Sequence, residues 1–221
     1  MANKKKALSF AVAHASMGLA LNATAGTIIV DQSGNSGAGT LRDAIADASS
    51  GDIISINADA VSTITLDTPI GTQGKSLIIQ APVDAQGKPQ VTITASAPGH
   101  RLLALQPQVA PVSPIPFVIS GLKFSGAAED GPGGAIIAGS HALVLDKSIV
   151  TGNTAVGVGG GVASYDDGEL CLQGSEISGN TVTGATGPEG SYAMGGGAFV
   201  DGLLQVLPSF STDDGPGDYL S

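Results

Sequence analysis

The chain has 221 residues and a net charge of −10, nineteen acidic residues against nine basic ones. That balance excludes nucleic acid and anionic membrane surfaces as electrostatic partners. Cys171 is the single cysteine, so an internal disulfide and a CxxC-type metal site are both excluded; aromatics at 4%, with no Trp, leave an aliphatic core, and 33 glycines point to many turns.

The N-terminus reads as an export signal over residues 1–25. Lys4, Lys5 and Lys6 form a positive start, Ala7 to Leu21 is apolar apart from His14 and a few small polar residues, and Ala23-Thr24-Ala25 is an A-x-A cleavage site before Gly26. The apolar stretch is too short for a comfortable membrane span, and no later segment reaches the length of one. Removing the leader leaves six basic residues against nineteen acidic ones, a net of −13.

Residues 26–52 read as an N-terminal cap. Thr27 to Val30 is a short apolar strand, and "DQSGNSGAG" is turn material. Leu41, Ala44, Ile45 and Ala48 then fall at i, i+3, i+4 and i+7, one face of a short helix. Thr40 is a good N-cap, Asp43 suits the positive end of the helix dipole, and Gly51 lies just past the end.

From 53 to 207 the period changes to two. Ile54 and Ile56, Ile64 and Leu66, Leu77 and Ile79, Val91 and Ile93, and Leu103 and Leu105 lie in separate runs bounded by Gly, Pro, Asp or Asn, which marks short strands. "QPQVAPVSPIP", Gln106 to Pro116, carries four prolines and reads as a loop between strands. Residues 208–221 read as an irregular or truncated tail.

The repeats decide the fold. "HALVLDKSIVTGN" (from His141) aligns without gaps on "GELCLQGSEISGN" (from Gly168), pairing Leu143 with Leu170, Leu145 with Leu172, Ser148 with Ser175, and Asn153 with Asn180. "FVISGLKFSG" is an earlier copy, and glycine blocks recur in step at Gly133, Gly159 and Gly195. A repeat this short, with two or three strands in each copy, fits an all-β parallel β-helix, one coil per repeat, with coils about 4.8 Å apart. The two-apart residues then point inward, while Val144, Asp146, Cys171 and Gln173 point outward. Lys123, Ile149 and Glu176 share one repeat position. The sharp bends between strands call for glycines and asparagines in the left-handed region.

"GTLRDAIADASSGDIISI" resembles the N-terminal capping region of bacterial exported right-handed β-helix proteins. "SIVTGNTAVGVGGGVAS" and "SEISGNTVTGATGPEGSYAMGGGAF" are similar to their repeat, which also occurs in autotransporter-type polymorphic surface proteins. The resemblance implies a right-handed solenoid, a secreted or outer-membrane-associated location, and an adhesin-like, scaffold or passenger role. Host or matrix carbohydrate or protein would be its partner, and further C-terminal coils or a capping partner would close its open end. Polysaccharide-degrading enzymes share the architecture, so a lyase or glycoside hydrolase is the alternative.

Few residues carry chemistry. The glycine blocks match neither a Walker loop nor a dinucleotide fingerprint, so no cofactor is expected and Gly160, Gly161, Gly196 and Gly197 read as coil turns. Asn153 and Asn180 read as an asparagine ladder, bonding along the stack. Asp166, Asp167 and Glu169 are the calcium candidates, with Asp201 in the next coil; the equivalent stretch of the preceding coil has no carboxylate, which favours a solvated acidic turn over a metal site. "STDDGPGD", with Asp213, Asp214 and Asp218, lacks EF-hand spacing. Arg101, Lys123 and Lys147 are basic residues of the helix body, His100 and His141 show no partner in the sequence, and Tyr165 and Tyr192 recur beside the glycine blocks as turn packing or a sugar contact. No residue can be assigned as catalytic.

Overall fold

The computed structural model describes residues 25–105, 116–166, 168–184 and 195–207. They form an all-β parallel β-helix with one short helix at its N-terminal end. The first face stacks Thr27–Val30, Ile53–Ile56, Ile78–Gln80, Phe117–Ser120, Ala142–Asp146, Glu169–Gln173 and Leu203–Leu207. The second stacks Thr63–Leu66, Val91–Ala95, Leu122–Ser125, Ile149–Thr151 and Glu176–Ser178. The third stacks Ile70–Gly71, Leu103–Leu105, Ile136–Ala138, Val162–Ser164 and Ala198–Val200. All these strand pairs are parallel.

A fourth face, Ala128–Glu129, Thr154–Val156 and Thr181–Thr183, appears only in the later coils. Those coils therefore carry four strands, where the repeat suggested two or three. The extra corner comes from Gly126, Gly152 and Gly179, at φ 74°, 67° and 60°, which end the second face and turn the chain. The asparagines behave differently from the expectation. Asn153 and Asn180 are not in the left-handed region; the glycine before each one takes that conformation, which frees the amide to act as a hydrogen-bonding post.

The core is a set of aliphatic ladders, as the two-residue period requires. Ile54, Ile79, Ile119, Leu145, Leu172 and Val206 stand in one column of the first face. Ile64, Ile93, Phe124, Val150 and Ile177 stand in one column of the second. Ile54, Ile64, Ile93, Ile119, Phe124, Leu145 and Val150 are buried, and burying each such side chain stabilises the fold by about 1.5–3 kcal/mol.

The helix Leu41–Asp47 closes the N-terminal end by burying Leu41, Ala44 and Ile45 over these ladders. Thr40 caps it, its side chain accepting from the Asp43 N–H. Two cations fasten it. Arg42 donates to the Asn35, Thr68 and Pro69 carbonyls and to Asn35 Oδ1. Lys75 Nζ donates to the Ile45 and Ala46 carbonyls at 2.9 and 2.7 Å, satisfying acceptors at the helix C-terminus. At the opposite end Leu204 and Val206 continue the inner columns yet are 51% and 68% exposed, because no described coil stacks on them.

Candidate functional site

Two polar ladders hold the corners of the later coils. At the corner between the first and second faces, Ser175 Oγ accepts from the Ser148 N–H and donates to the Leu145 carbonyl at 2.8 Å. One coil earlier Ser148 Oγ does the same toward the Leu122 N–H and the Ile119 carbonyl. At the next corner Asn153 Oδ1 accepts from the Ala127 N–H, and its Nδ2 donates to the Phe124 carbonyl. Asn180 Oδ1 accepts from the Asn153 N–H, and Asn180 Nδ2 donates to the Val150 carbonyl. In each case the side chain reaches back one coil, accepting from a backbone N–H at the corner and donating to a strand carbonyl. The alignment of Ser148 with Ser175 was visible in the sequence; their hydrogen-bonding function was not.

The glycine blocks are sites of close backbone approach. A Cβ on Gly134 would run into the Gly160 carbonyl oxygen, and one on Gly160 into the Gly196 carbonyl oxygen. One on Gly161 would lie 2.8 Å from the Gly197 carbonyl oxygen. On Gly196, in the last coil of that face, the nearest atom would be 3.5 Å away. Stacking, not ligand binding, accounts for Gly160 and Gly161. None of Gly160, Gly161, Gly196 and Gly197 has a positive φ; that conformation belongs to Gly159 and Gly195.

The acidic candidates are dispersed. Asp166 is an exposed turn residue at φ 57°. Glu169 stands half-buried on the outer first face, between Ala142 and Leu203 in register. Asp167 lies outside the described residues, as do Asp213, Asp214, Asp218, Tyr192 and the leader. Among the described residues no three of His, Cys, Asp and Glu are grouped to hold a metal ion. Cys171, beside Glu169, is half-buried in a shallow apolar groove with Pro116, Val144 and Leu203. Burial, and then the Glu169 charge, push its thiol up. Val144, expected to face solvent, is 9% exposed within the same groove. Lys123, Ile149 and Glu176 share one register position on the outer second face, as the repeat implied.

One charged constellation was not legible in the sequence. Arg101 N–H and Nε–H both donate to Glu129 Oε2, at 2.8 and 3.1 Å. The pair is largely shielded, with side-chain exposures of 15% and 19%. Burial by itself would raise the Glu129 carboxyl, but the hydrogen bonds and charge of Arg101 outweigh it and hold the group below the usual range. His100 makes an antiparallel bridge to Ala128, its Nδ1 lies 2.7 Å from the Arg101 carbonyl, and its Nε2 is buried with no partner among the described residues. This loop covers the first strand of the fourth face, so the pair links coils where the period is broken by extra residues. Its signal was absent because the sequence spacing there is not that of the repeat. Tyr165 packs on Phe199 with centroids 5.4 Å apart, and burial raises its phenol.

These elements define the class, a parallel β-helix with polar corner ladders and a helix-capped N-terminal end. No family model, curated protein or solved structure matches the chain. Among the described residues no helix is long and apolar enough to cross a membrane.

Proposed function

We propose that the protein is an exported β-helix that works at the cell surface or after secretion as a scaffold or adhesin-like module, similar to polymorphic surface and autotransporter-passenger repeats. The observation that carries this reading is where the stack begins. Its first strand starts at Thr27, two residues after the A-x-A motif that ends at Ala25, so the leader can be removed without cutting any element. The rest of the molecule suits a presenting surface: stacked coils hold side chains in straight columns, and the surface they offer is extended and repetitive. Partners of this class are carbohydrate or protein from a host or matrix.

The test is expression from Met1 in an exporting Gram-negative host, fractionation, and binding of the released chain to immobilised matrix carbohydrates and proteins. Recovery of leaderless chain outside the cytoplasm, with saturable binding to one of these, supports the proposal. Retention of the intact chain in the cytoplasm opposes it. So does steady release of unsaturated products from acidic polysaccharides, which would favour a lyase.

A further inference from the structure

We propose that Gly26 is the first residue of the processed chain and that the Asp52 carboxylate is a built receptor for its α-ammonium group. This rests on the export reading above and adds what the new chain end does.

The geometry is specific. Gly26 N–H donates to Asp52 Oδ1 at 2.7 Å, and Ser49 N–H donates to Asp52 Oδ2 at 2.8 Å. The Gly26 carbonyl accepts from the Ile53 N–H at 2.8 Å, so residue 26 is held on both sides immediately before the first strand. A Cβ at position 26 would lie 3.2 Å from Asp52 Oδ1, so the carboxylate sits directly over the glycine backbone. Ala25 and Gly26 are both exposed, which leaves the bond between them open to a peptidase. The hydrogen bonds from Ser49, then Gly26, hold the Asp52 carboxyl below its ordinary range.

Hydrolysis at this bond consumes one water. The Ala25 C–N bond breaks, the Ala25 carboxylate leaves with the leader, and the Gly26 nitrogen becomes a primary amine that takes up a proton. One neutral N–H donor facing Asp52 is thereby replaced by an ammonium with three donors and a full charge. Charge-assisted hydrogen bonds are roughly twice as strong as neutral ones. Leader removal therefore pins the first strand onto the second more firmly than before, and the cap helix with it.

The charged side chains on the elements packed against the first strand are Arg42, Asp43 and Asp47 on the helix, Lys75 beside its end, and Asp31 at the far end of the strand. The Lys75 ammonium is engaged by the Ile45 and Ala46 carbonyls, and the Arg42 guanidinium by Asn35, Thr68 and Pro69, so both cations already have partners and Asp52 faces the new chain end. A carboxylate in hydrogen-bond contact favours the protonated amine, so the direction of the shift is upward from the ordinary α-amino range of about 7.7–8.0. The stabilisation is complete below that range and is lost as pH rises through the raised value.

The experiment uses the chain expressed from Met1 and collected after export. N-terminal sequencing and intact mass give the first residue, expected to be Gly26. A different first residue overturns the cleavage reading, whatever Asp52 does. The Gly26 α-amine is then titrated by NMR in the processed chain and in Asp52→Asn. We expect the amine to titrate at a higher pH in the first than in the second. Identical titrations overturn the Asp52 assignment and leave the cleavage reading intact. A processed chain acetylated on the Gly26 nitrogen keeps the Asp52–Ser49 bond and one neutral N–H, and loses the charge and the other two donors. Its thermal midpoint should fall below that of the free amine at pH 7 and match it at about pH 10. Equal midpoints at pH 7 also overturn the proposal.

Discussion

Asn180 Oδ1 accepts from two groups of Asn153 at once, the backbone N–H at 3.0 Å and the side-chain Nδ2 at 2.9 Å. Asn153 is buried, at 1% exposure, and passes the pattern on to Ala127 and Phe124. Asn153→Ala would leave the Ala127 N–H and the Phe124 carbonyl without their partner, at a cost of about 1–3 kcal/mol. Asn180→Ala should cost less, because its surroundings are half open to water. Urea midpoints of the two variants check the order, and a larger loss at Asn180 would oppose it.

Leu145 tests the inward columns. It is fully buried between Ile119 and Leu172. Leu145→Asp places an unpaired carboxylate in an aliphatic ladder, where ionised groups are not tolerated. We expect insoluble or unfolded protein by circular dichroism and size exclusion. A soluble, folded variant would contradict the inward assignment.

Two glycines separate the two reasons for glycine here. Gly160→Ala drives a Cβ into the Gly196 carbonyl oxygen, backbone that cannot give way without parting two coils. Gly152→Ala meets nothing within 4 Å and suffers only from its φ of 67°. The second should cost about 1–2 kcal/mol, and the first clearly more. Thermal unfolding of both variants decides the ranking.

The Arg101–Glu129 pair gives a pH signature. The Glu129 carboxyl is lower in the folded chain than in the unfolded one. Its stabilisation is therefore present above the unfolded value, about 4.3, and is lost as pH falls through the folded one. Glu129→Gln should be less stable than the native chain at pH 7 by no more than about 1 kcal/mol, since the pair is partly solvated. The gap should close on acidification. A gap that widens between pH 5 and pH 3 would contradict this direction.

How much of this could be read from the residues alone depended on the period. Where copies are spaced evenly, as from Leu143 to Leu170 or from Ile149 to Glu176, alignment gives register, and register gives which side chains are inside. The cap helix was legible because Leu41, Ala44, Ile45 and Ala48 repeat at helical spacing after a Thr N-cap. The fourth face was missed because Thr154–Val156 and Thr181–Thr183 are three-residue strands set off by a single glycine, too short to display a period. Asn153 was assigned the wrong backbone conformation because Asn and Gly share a preference for turns; the neighbouring Gly152 already supplied the turn. The Arg101–Glu129 contact spans 28 residues, off the spacing of the later copies; Gly26 and Asp52 are 26 apart, the spacing of the repeat, but lie ahead of the copies whose sequences align.

Ladders and cap both depend on the parallel register of the coils, and the single native thiol can report on it. Val144 and Cys171 are register partners on adjacent strands, with both side chains on the outer first face. Neighbouring strands lie about 4.8 Å apart, within the Cα range a disulfide spans. The decisive measurement is oxidation of Val144→Cys, followed by peptide mass mapping, beside Ala142→Cys and Asp146→Cys as controls two residues out of register. The stack predicts rapid cross-linking of position 144 to Cys171 and little at 142 or 146. Equal cross-linking at all three positions, or a preference for either control, would contradict it.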